Sequence, residues 1–169
     1  MDLKTILVQL SNPRRTDVLL SVASRLAERS NAHLIGFNVS HALAHMSAMP
    51  ALVGPEDFAA FQEIDDEQAA RLKAAFDDAT RNRAFTPEWR NVEVVGMDPA
   101  TAVIEHGRTA DLIVASQADP DWEMSGFFDA PERLVLESGR PVLVVPYAGS
   151  FGAVGKRVMV AWSGKREGA

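Results

Sequence analysis

Several features that many proteins carry are missing from this sequence. Its 169 residues include no cysteine, which excludes disulfides, thiolate metal ligands and a cysteine nucleophile. There is no run of about 18 apolar residues, and the first residues, MDLKTILVQL, lack the basic region and cleavage site of a signal peptide. Acidic residues outnumber basic ones by 23 to 17, and the net charge of −6 opposes attraction to nucleic acid or anionic lipid. We therefore expect a cytoplasmic protein that binds neither nucleic acid nor membranes.

What is present is a regular alternation of apolar strands and amphipathic helices. Hydrophobic residues make up 47% of the chain, enough for the core of one domain. Short apolar runs predict five strands, at residues 5–10, 33–39, 89–95, 111–116 and 141–145. Helices are predicted between them: one capped by Thr16 or Asp17, one from Pro55, one capped by Asp98 with Pro99 following, and one at residues 131–137. Because the last two strands are apolar throughout, both their faces should be covered, which indicates an α/β fold with an open, doubly wound parallel sheet and helices on both faces.

The start of the chain is repeated near its end. Residues 4–12 (KTILVQLSN) return in altered form at residues 156–164 (KRVMVAWSG), 152 positions later. This period is close to the size of a compact domain. We expect one domain at residues 1–146, a linker at 147–155, and the first strand of a truncated second domain at 156–169. Chance similarity between two buried strands is the alternative.

The order of the segments resembles that of a universal stress protein domain, over residues 1–146. The most specific matches are GMDPA at residues 96–100, ADLIV at 110–114 and RPVLVV at 140–145. The resemblance to the UspA-like family implies an adenine nucleotide alpha hydrolase-like sheet with strand order 3-2-1-4-5, a dimer or pseudo-dimer formed through the last strand, and a role in stress survival. Tandem members of the family carry two such domains, which agrees with the repeat.

The sequence departs from the pattern of the ATP-binding relatives. An open sheet of this kind places its ligand crevice beyond the carboxyl ends of strands 1 and 4. Relatives that bind ATP have G-x2-G-x9-G-[ST] after strand 4, where Ser116 and Asp119 replace the first two glycines here. The same stretch has four carboxylates and no Lys or Arg from residue 111 through 132; the carboxylates are Asp119, Asp121, Glu123 and Asp129. We therefore expect no ATP binding by this domain and no cofactor.

A remodelled nucleotide pocket is the alternative. ATP or AMP would then be bound, or slowly hydrolysed, at the carboxyl ends of strands 1 and 4. The residues that would line this pocket are Ser11, Asn12, Gly96, Ser116, Ser125 and Gly126. Ser11 stands where relatives place an acidic residue that can meet the adenosine moiety, and Asn12 follows it.

Other chemistry is weakly indicated. Asp119, Asp121 and Glu123 alternate, but the glycine-containing pattern of a calcium loop is missing. His41 and His45, followed by Met46 and Met49, have the spacing of a soft-metal site, yet an apolar helix that covers the crevice needs the same residues. We predict no metal site. No nucleophile elbow is present, so we predict no catalytic residue. The basic pair Arg14 and Arg15 could bind an anion at the start of the helix, but exposed arginines in a first turn are ordinary.

Three functions follow. The first is a noncatalytic stress-response domain that acts through dimerisation and protein contacts, and the second is the nucleotide-binding domain described above. The third is a carrier of an apolar ligand, with Met46, Met49, Phe127 and Phe128 as a flexible lining. The apolar residues 158–162 would expose an aggregation-prone edge if left unpaired, so we expect a homodimer that exchanges residues 156–162.

Overall fold

The five predicted strands form one parallel sheet. The computed structural model describes residues 3–40, 55–94, 97–151, 154–156 and 158–160, without the side chains of residues 55–58 and 61. The strands are β1 (Thr5–Gln9), β2 (His33–Ser40), β3 (Pro87–Glu93), β4 (Leu112–Ser116) and β5 (Val142–Val145). Their order is β3-β2-β1-β4-β5, and every neighbouring pair is parallel. The expected fold class and strand order are confirmed.

Helices cover both faces of this sheet. They are α1 (Thr16–Ser30), α2 (Pro55–Thr80), α3 (Pro99–Gly107), α4 (Ser125–Phe128) and α5 (Pro131–Glu137). Alternate residues of β1 point to opposite faces, so Ile6 and Val8 belong to one core with Leu19 and Phe76, which lie on α1 and α2. Leu7 belongs to a second core, together with residues of α3 and α5. This double winding places the carboxyl ends of β1 and β4 side by side.

The caps of two helices show how local sequence sets the start of each. The prediction for α3 is confirmed: Asp98 Oδ1 accepts a hydrogen bond of 2.8 Å from Ala100 N, and Pro99 is the first helical residue. The prediction for α1 was wrong, because Arg15 is the N-cap residue and no side chain caps the helix. Asn12 forms the turn before it by accepting from Arg14 N, and Thr16 Oγ1 donates back to Asn12 O. Thr16 is thus used to close the turn.

The chain beyond β5 lies along α1. Phe151 and Val154 pack against the first core, and their carbonyls accept hydrogen bonds from Arg25 and Arg29 at 3.2 and 3.1 Å. The described residues of the predicted linker therefore pack on the domain. Residues 158–160 lie outside the sheet with large exposed fractions, 78% for Val158, 90% for Met159 and 77% for Val160. Residues 161–169 lie outside the described residues, so the second domain stays a prediction.

Candidate functional site

Polar side chains accumulate at the carboxyl ends of β1 and β4. This is the point where the winding of the sheet reverses, and open α/β sheets bind their ligands at such a point. Ser11, Asn12 and Ser116 are buried here, so the structure brings together three of the predicted pocket residues. Ser125 is buried beside them, whereas Gly126 is exposed. Gly96 lies outside the described residues, as do His41, His45, Met46 and Met49.

The stretch after β4 folds over the crevice and is fixed to the end of β1. We call residues 117–130, which include α4, the crevice turn. Asn12 Nδ2 donates to Asp119 Oδ2 at 3.1 Å, and Asp119 Oδ1 accepts from Asp121 N at 3.1 Å. Asp119 is only 7% exposed. Asn12 therefore uses its amide to hold the crevice turn rather than presenting it to an open pocket.

A second contact closes the crevice turn upon itself through Ser125. Its Oγ accepts from Asp119 N at 2.8 Å and donates to Asp129 Oδ2 at 2.9 Å. Burial raises the pKa of Asp129 to about 6, against the opposing effect of the Ser125 hydrogen bond. Sequence reasoning treated Asp129 as one of four equivalent carboxylates, whereas Asp119 and Asp129 are buried and Asp121 and Glu123 are exposed.

The far end of the crevice turn is held by Gln9 and aromatic packing. Gln9 Nε2 donates to Phe128 O at 2.9 Å and to Ser11 Oγ at 3.3 Å. Gln68 of α2 donates to Ser11 O at 3.2 Å. The ring of Trp122 stacks on Phe128 with 5.3 Å between their centroids. Phe128 is 4% exposed, so it anchors the turn instead of lining an open apolar pocket.

Arg15 is the crevice residue whose burial sequence reasoning misjudged. It was interpreted as exposed, but its exposed fraction is 6%. Its Nε donates to Ser116 Oγ at 3.3 Å, Nη1 donates to Tyr147 O at 2.7 Å, and Nη2 donates to Pro146 O. The signal that was available is the absence of any cation from residue 111 through 132, which left the pair Arg14 and Arg15 as the nearest source of positive charge. Arg14 is the exposed member, and it donates to Asp121 O at 2.9 Å.

The crevice therefore has its polar groups paired with one another. The guanidinium of Arg15 donates to a hydroxyl and two carbonyls, and its described hydrogen bonds include none to a carboxylate. Within residues 3–40, 55–94 and 97–151, no three His, Asp or Glu side chains come close enough to hold a metal ion. An open depression of about 550 Å³ lies against the crevice turn, with Asp119, Ser125, Gly126 and Tyr147 in its lining.

Comparisons with known proteins agree with this architecture. No family model matches the chain, and no curated protein matches it significantly. Among solved structures, the hypothetical protein MJ0577 is 15% identical with a TM-score of 0.67 and covers 89% of this chain and 100% of its own. The universal stress protein UspA from Lactobacillus plantarum is 17% identical with a TM-score of 0.60, over 84% of this chain and 97% of its own. A universal stress protein in complex with cAMP is 21% identical with a TM-score of 0.52, over 86% of this chain and 98% of its own.

These similarities establish the fold. At such identities they show that the chain has the architecture of universal stress proteins, with the strand order 3-2-1-4-5 that the sequence predicts. None of the described helices is both long enough and apolar enough to cross a membrane.

Proposed function

We propose that this chain is a universal stress protein domain that acts without catalysis, through dimerisation and contacts with other proteins, and that it does not bind ATP. The observation that carries the proposal is that many main-chain N–H groups of the crevice turn are hydrogen-bonded within the turn itself. Phosphate sites of this kind need such groups free to point at the ligand. Here seven of them donate to side chains or carbonyls of the same turn, namely those of Asp119, Asp121, Trp122, Ser125, Phe127, Phe128 and Asp129.

Charge supports the same conclusion. Asp119 and Asp129 are buried in the crevice turn, and like charges at about 4–6 Å cost on the order of 1 kcal/mol or more each. Arg15 is the nearby buried cation, and its donors are engaged by Ser116 and by the carbonyls after β5. A triphosphate would therefore meet paired donors and negative charge.

A second candidate is the binding of AMP or ATP in a remodelled crevice, with slow hydrolysis as its catalytic form. The observation that favours it is the solved universal stress protein in complex with cAMP, which shares this fold. The residues that would line the pocket are Ser11, Asn12, Gly96, Ser116, Ser125 and Gly126, of which Gly96 lies outside the described residues. This candidate requires the crevice turn to move, because Asn12 and Ser125 are bonded to Asp119.

Isothermal titration calorimetry with ATP and AMP at sub-millimolar concentration separates the two candidates. We expect no binding heat from the natural sequence. The Asp119→Ala variant loses both the bond to Asn12 and one negative charge. Weak binding by this variant alone would identify the crevice turn as what excludes the nucleotide. Binding by the natural sequence in the micromolar range would contradict the proposal and support the second candidate.

The proposed partner is a second copy of the chain. β5 is an edge strand without a charged residue, whereas the opposite edge, β3, contains Glu88, which pairs with Arg90 and His33. Charges protect an edge from pairing, and their absence leaves β5 suited to it. Leu136 on α5, the helix that packs on β5, is 81% exposed and would be covered by the same contact.

The segment after the domain is the second part of this partner proposal. Val158, Met159 and Val160 are exposed apolar residues, which supports an exchange of residues 156–162 between two copies. The repeat of residues 4–12 at residues 156–164 supports a second domain that begins there. A cytoplasmic location belongs to the same proposal and is consistent with the lack of cysteine.

A further inference from the structure

The depression against the crevice turn has aromatic side chains and carboxylates in its lining. Trp122 and Tyr147 supply two aromatic rings, and Asp119 and Glu123 supply the carboxylates. The described lining contains no lysine, arginine or histidine. The depression is open, with a volume of about 550 Å³. These groups differ from those inside the crevice, where hydrogen-bond donors and acceptors are paired with one another.

Both aromatic residues are held in place by the protein. The ring of Trp122 stacks on that of Phe128 with 5.3 Å between their centroids, and Phe128 is buried. Tyr147 is 43% exposed, but its main chain is fixed at both ends. Tyr147 N donates to Gln117 Oε1 at 3.3 Å, and Tyr147 O accepts from Arg15 Nη1 at 2.7 Å. A surface whose groups are already positioned loses less conformational entropy when a ligand binds.

The charge around the depression is negative. The crevice turn has four carboxylates, and residues 111–132 include no Lys or Arg. Arg14 and Arg15 contact this region, and their described hydrogen bonds go to main-chain carbonyls and to the hydroxyl of Ser116. Two guanidinium groups therefore stand against four carboxylates. Such a field repels an anion and attracts a cation.

Aromatic rings and carboxylates together recognise an organic cation. A ring attracts an ammonium or guanidinium group through its quadrupole, and a carboxylate adds a charge-assisted hydrogen bond. A metal ion needs several converging ligands, and within the described residues no three His, Asp or Glu side chains converge. Sites for small free ligands enclose most of the ligand surface, which an open depression does not do. A cationic side chain on a partner protein needs no such enclosure, because the partner itself covers the depression.

We propose that this depression receives an arginine or lysine side chain of a partner protein. The inference rests on the proposed function, which is to act through protein contacts, and it specifies the chemistry of the partner as a segment with an exposed basic side chain. The alkyl stem would lie against Trp122 and Tyr147, and the cationic group would meet the exposed carboxylate of Glu123. The crevice turn stays closed in this contact.

A short peptide tests the proposal on the full chain. The peptide has one arginine between glycines and blocked ends, and it is added up to about 10 mM in about 0.15 M salt. The indole N–H signal of Trp122, identified by its loss in Trp122→Phe, is followed by NMR. We expect a saturable shift with this peptide and none with the same peptide carrying citrulline, which keeps the shape of arginine and lacks its charge. Equal shifts with both peptides, or no saturable shift with the arginine peptide, would overturn the proposal.

Variants of exposed residues separate the depression from the general charge of the turn. Tyr147→Leu removes a ring and should weaken binding of the arginine peptide about two- to fivefold, the effect of one cation–π contact at an exposed site. Tyr147→Phe keeps the ring and should bind as the natural sequence does. Glu123→Gln should weaken binding more than Asp121→Asn, which removes an exposed carboxylate of the same turn outside the lining. Equal weakening by these last two variants, or none by Tyr147→Leu, would contradict a site in the depression.

The titration with ATP remains a separate test. If the arginine peptide does not bind and ATP does not bind either, only the chemistry assigned to the partner is wrong, and the proposed function stands. If ATP binds to the natural sequence in the micromolar range, the proposed function is wrong whatever the peptides do.

Discussion

Arg15 joins the first turn of the protein to the ends of its last two strands. Its guanidinium bonds Ser116, at the end of β4, and the carbonyls of Pro146 and Tyr147, which follow β5. Carbonyl oxygens at strand ends need donors when water is excluded from them. A buried arginine fulfils this need and at the same time occupies the crevice. The side chain therefore has a structural role at the end of the sheet where open α/β sheets bind their ligands.

Replacing Arg15 tests this role at the level of one residue. Arg15→Met keeps the aliphatic stem and removes three donors, so the buried Ser116 Oγ and the partly buried carbonyl contacts of Pro146 and Tyr147 lose a partner. We expect the free energy of unfolding to fall by about 1–3 kcal/mol, as measured by urea denaturation. The matched control is Arg14→Met, because Arg14 is exposed and should change stability by less than about 0.5 kcal/mol. Equal effects of the two substitutions would contradict the burial of Arg15.

The contact between β2 and α2 depends on a glycine. A Cβ at Gly36 would lie 2.5 Å from Phe76 Cδ2 and 2.7 Å from Phe76 Cε2, closer than packed atoms can approach. Phe76 belongs to α2 and is fully inside the core, so it cannot move aside without disturbing its neighbours. The glycine allows the helix to lie directly against the strand.

We predict that Gly36→Ala destabilises the protein by about 1–3 kcal/mol through overpacking. Thermal and urea unfolding measure this loss. Gly126→Ala is the control: a Cβ there meets nothing within 4 Å, and alanine is the better helix former in α4. The control should be neutral or slightly more stable. A neutral Gly36→Ala would show that the sheet and helix are further apart than described.

Secondary elements could be predicted because their signals are local. The apolar runs gave β1 through β5 to within about two residues, and Pro99 after Asp98 marked the start of α3. The cap of α1 was missed because Asn12, four residues before Thr16, forms the turn that precedes the helix. The Thr16 hydroxyl donates to the Asn12 carbonyl in this turn and therefore does not cap the helix.

The contacts between side chains in the crevice could not be predicted from local sequence patterns. Asn12 and Asp119 are 107 positions apart, and Arg15 and Tyr147 are 132 positions apart. Contacts at such separations leave no periodic pattern in one sequence. The sequence indicated an acidic turn that is unfavourable for phosphate, but it did not show which carboxylates are buried or that Arg15 fills the space between the strand ends.

The two edges of the sheet lie at opposite sides of the molecule and differ in charge. The dimer prediction depends on this difference. β3 ends the sheet with charged residues, whereas β5 ends it with the apolar run Val142–Val145. We expect the full chain to sediment as a dimer. A chain that ends at Gly155 keeps Phe151 and Val154 on the core and loses residues 156–169, so its association state should change if these residues are exchanged.

Two substitutions of exposed residues separate the two surfaces in the same sedimentation experiment. Met159→Glu places a charge in the proposed exchanged segment, and Leu136→Glu places one beside β5. Both side chains are over 80% exposed, so neither change should affect folding of the monomer. Dissociation by Leu136→Glu supports pairing at β5, and dissociation by Met159→Glu supports exchange. A full chain that sediments as a monomer would contradict both.

The closed crevice is most directly tested by following main-chain amide signals of residues 117–130 by NMR while ATP is added at neutral pH. The account predicts no specific change up to millimolar nucleotide, because seven main-chain donors of this turn are bonded within it and Asp119 and Asp129 repel phosphate. Saturable shifts of these amides together with those of Ser11 and Asn12, at micromolar ATP, would contradict it.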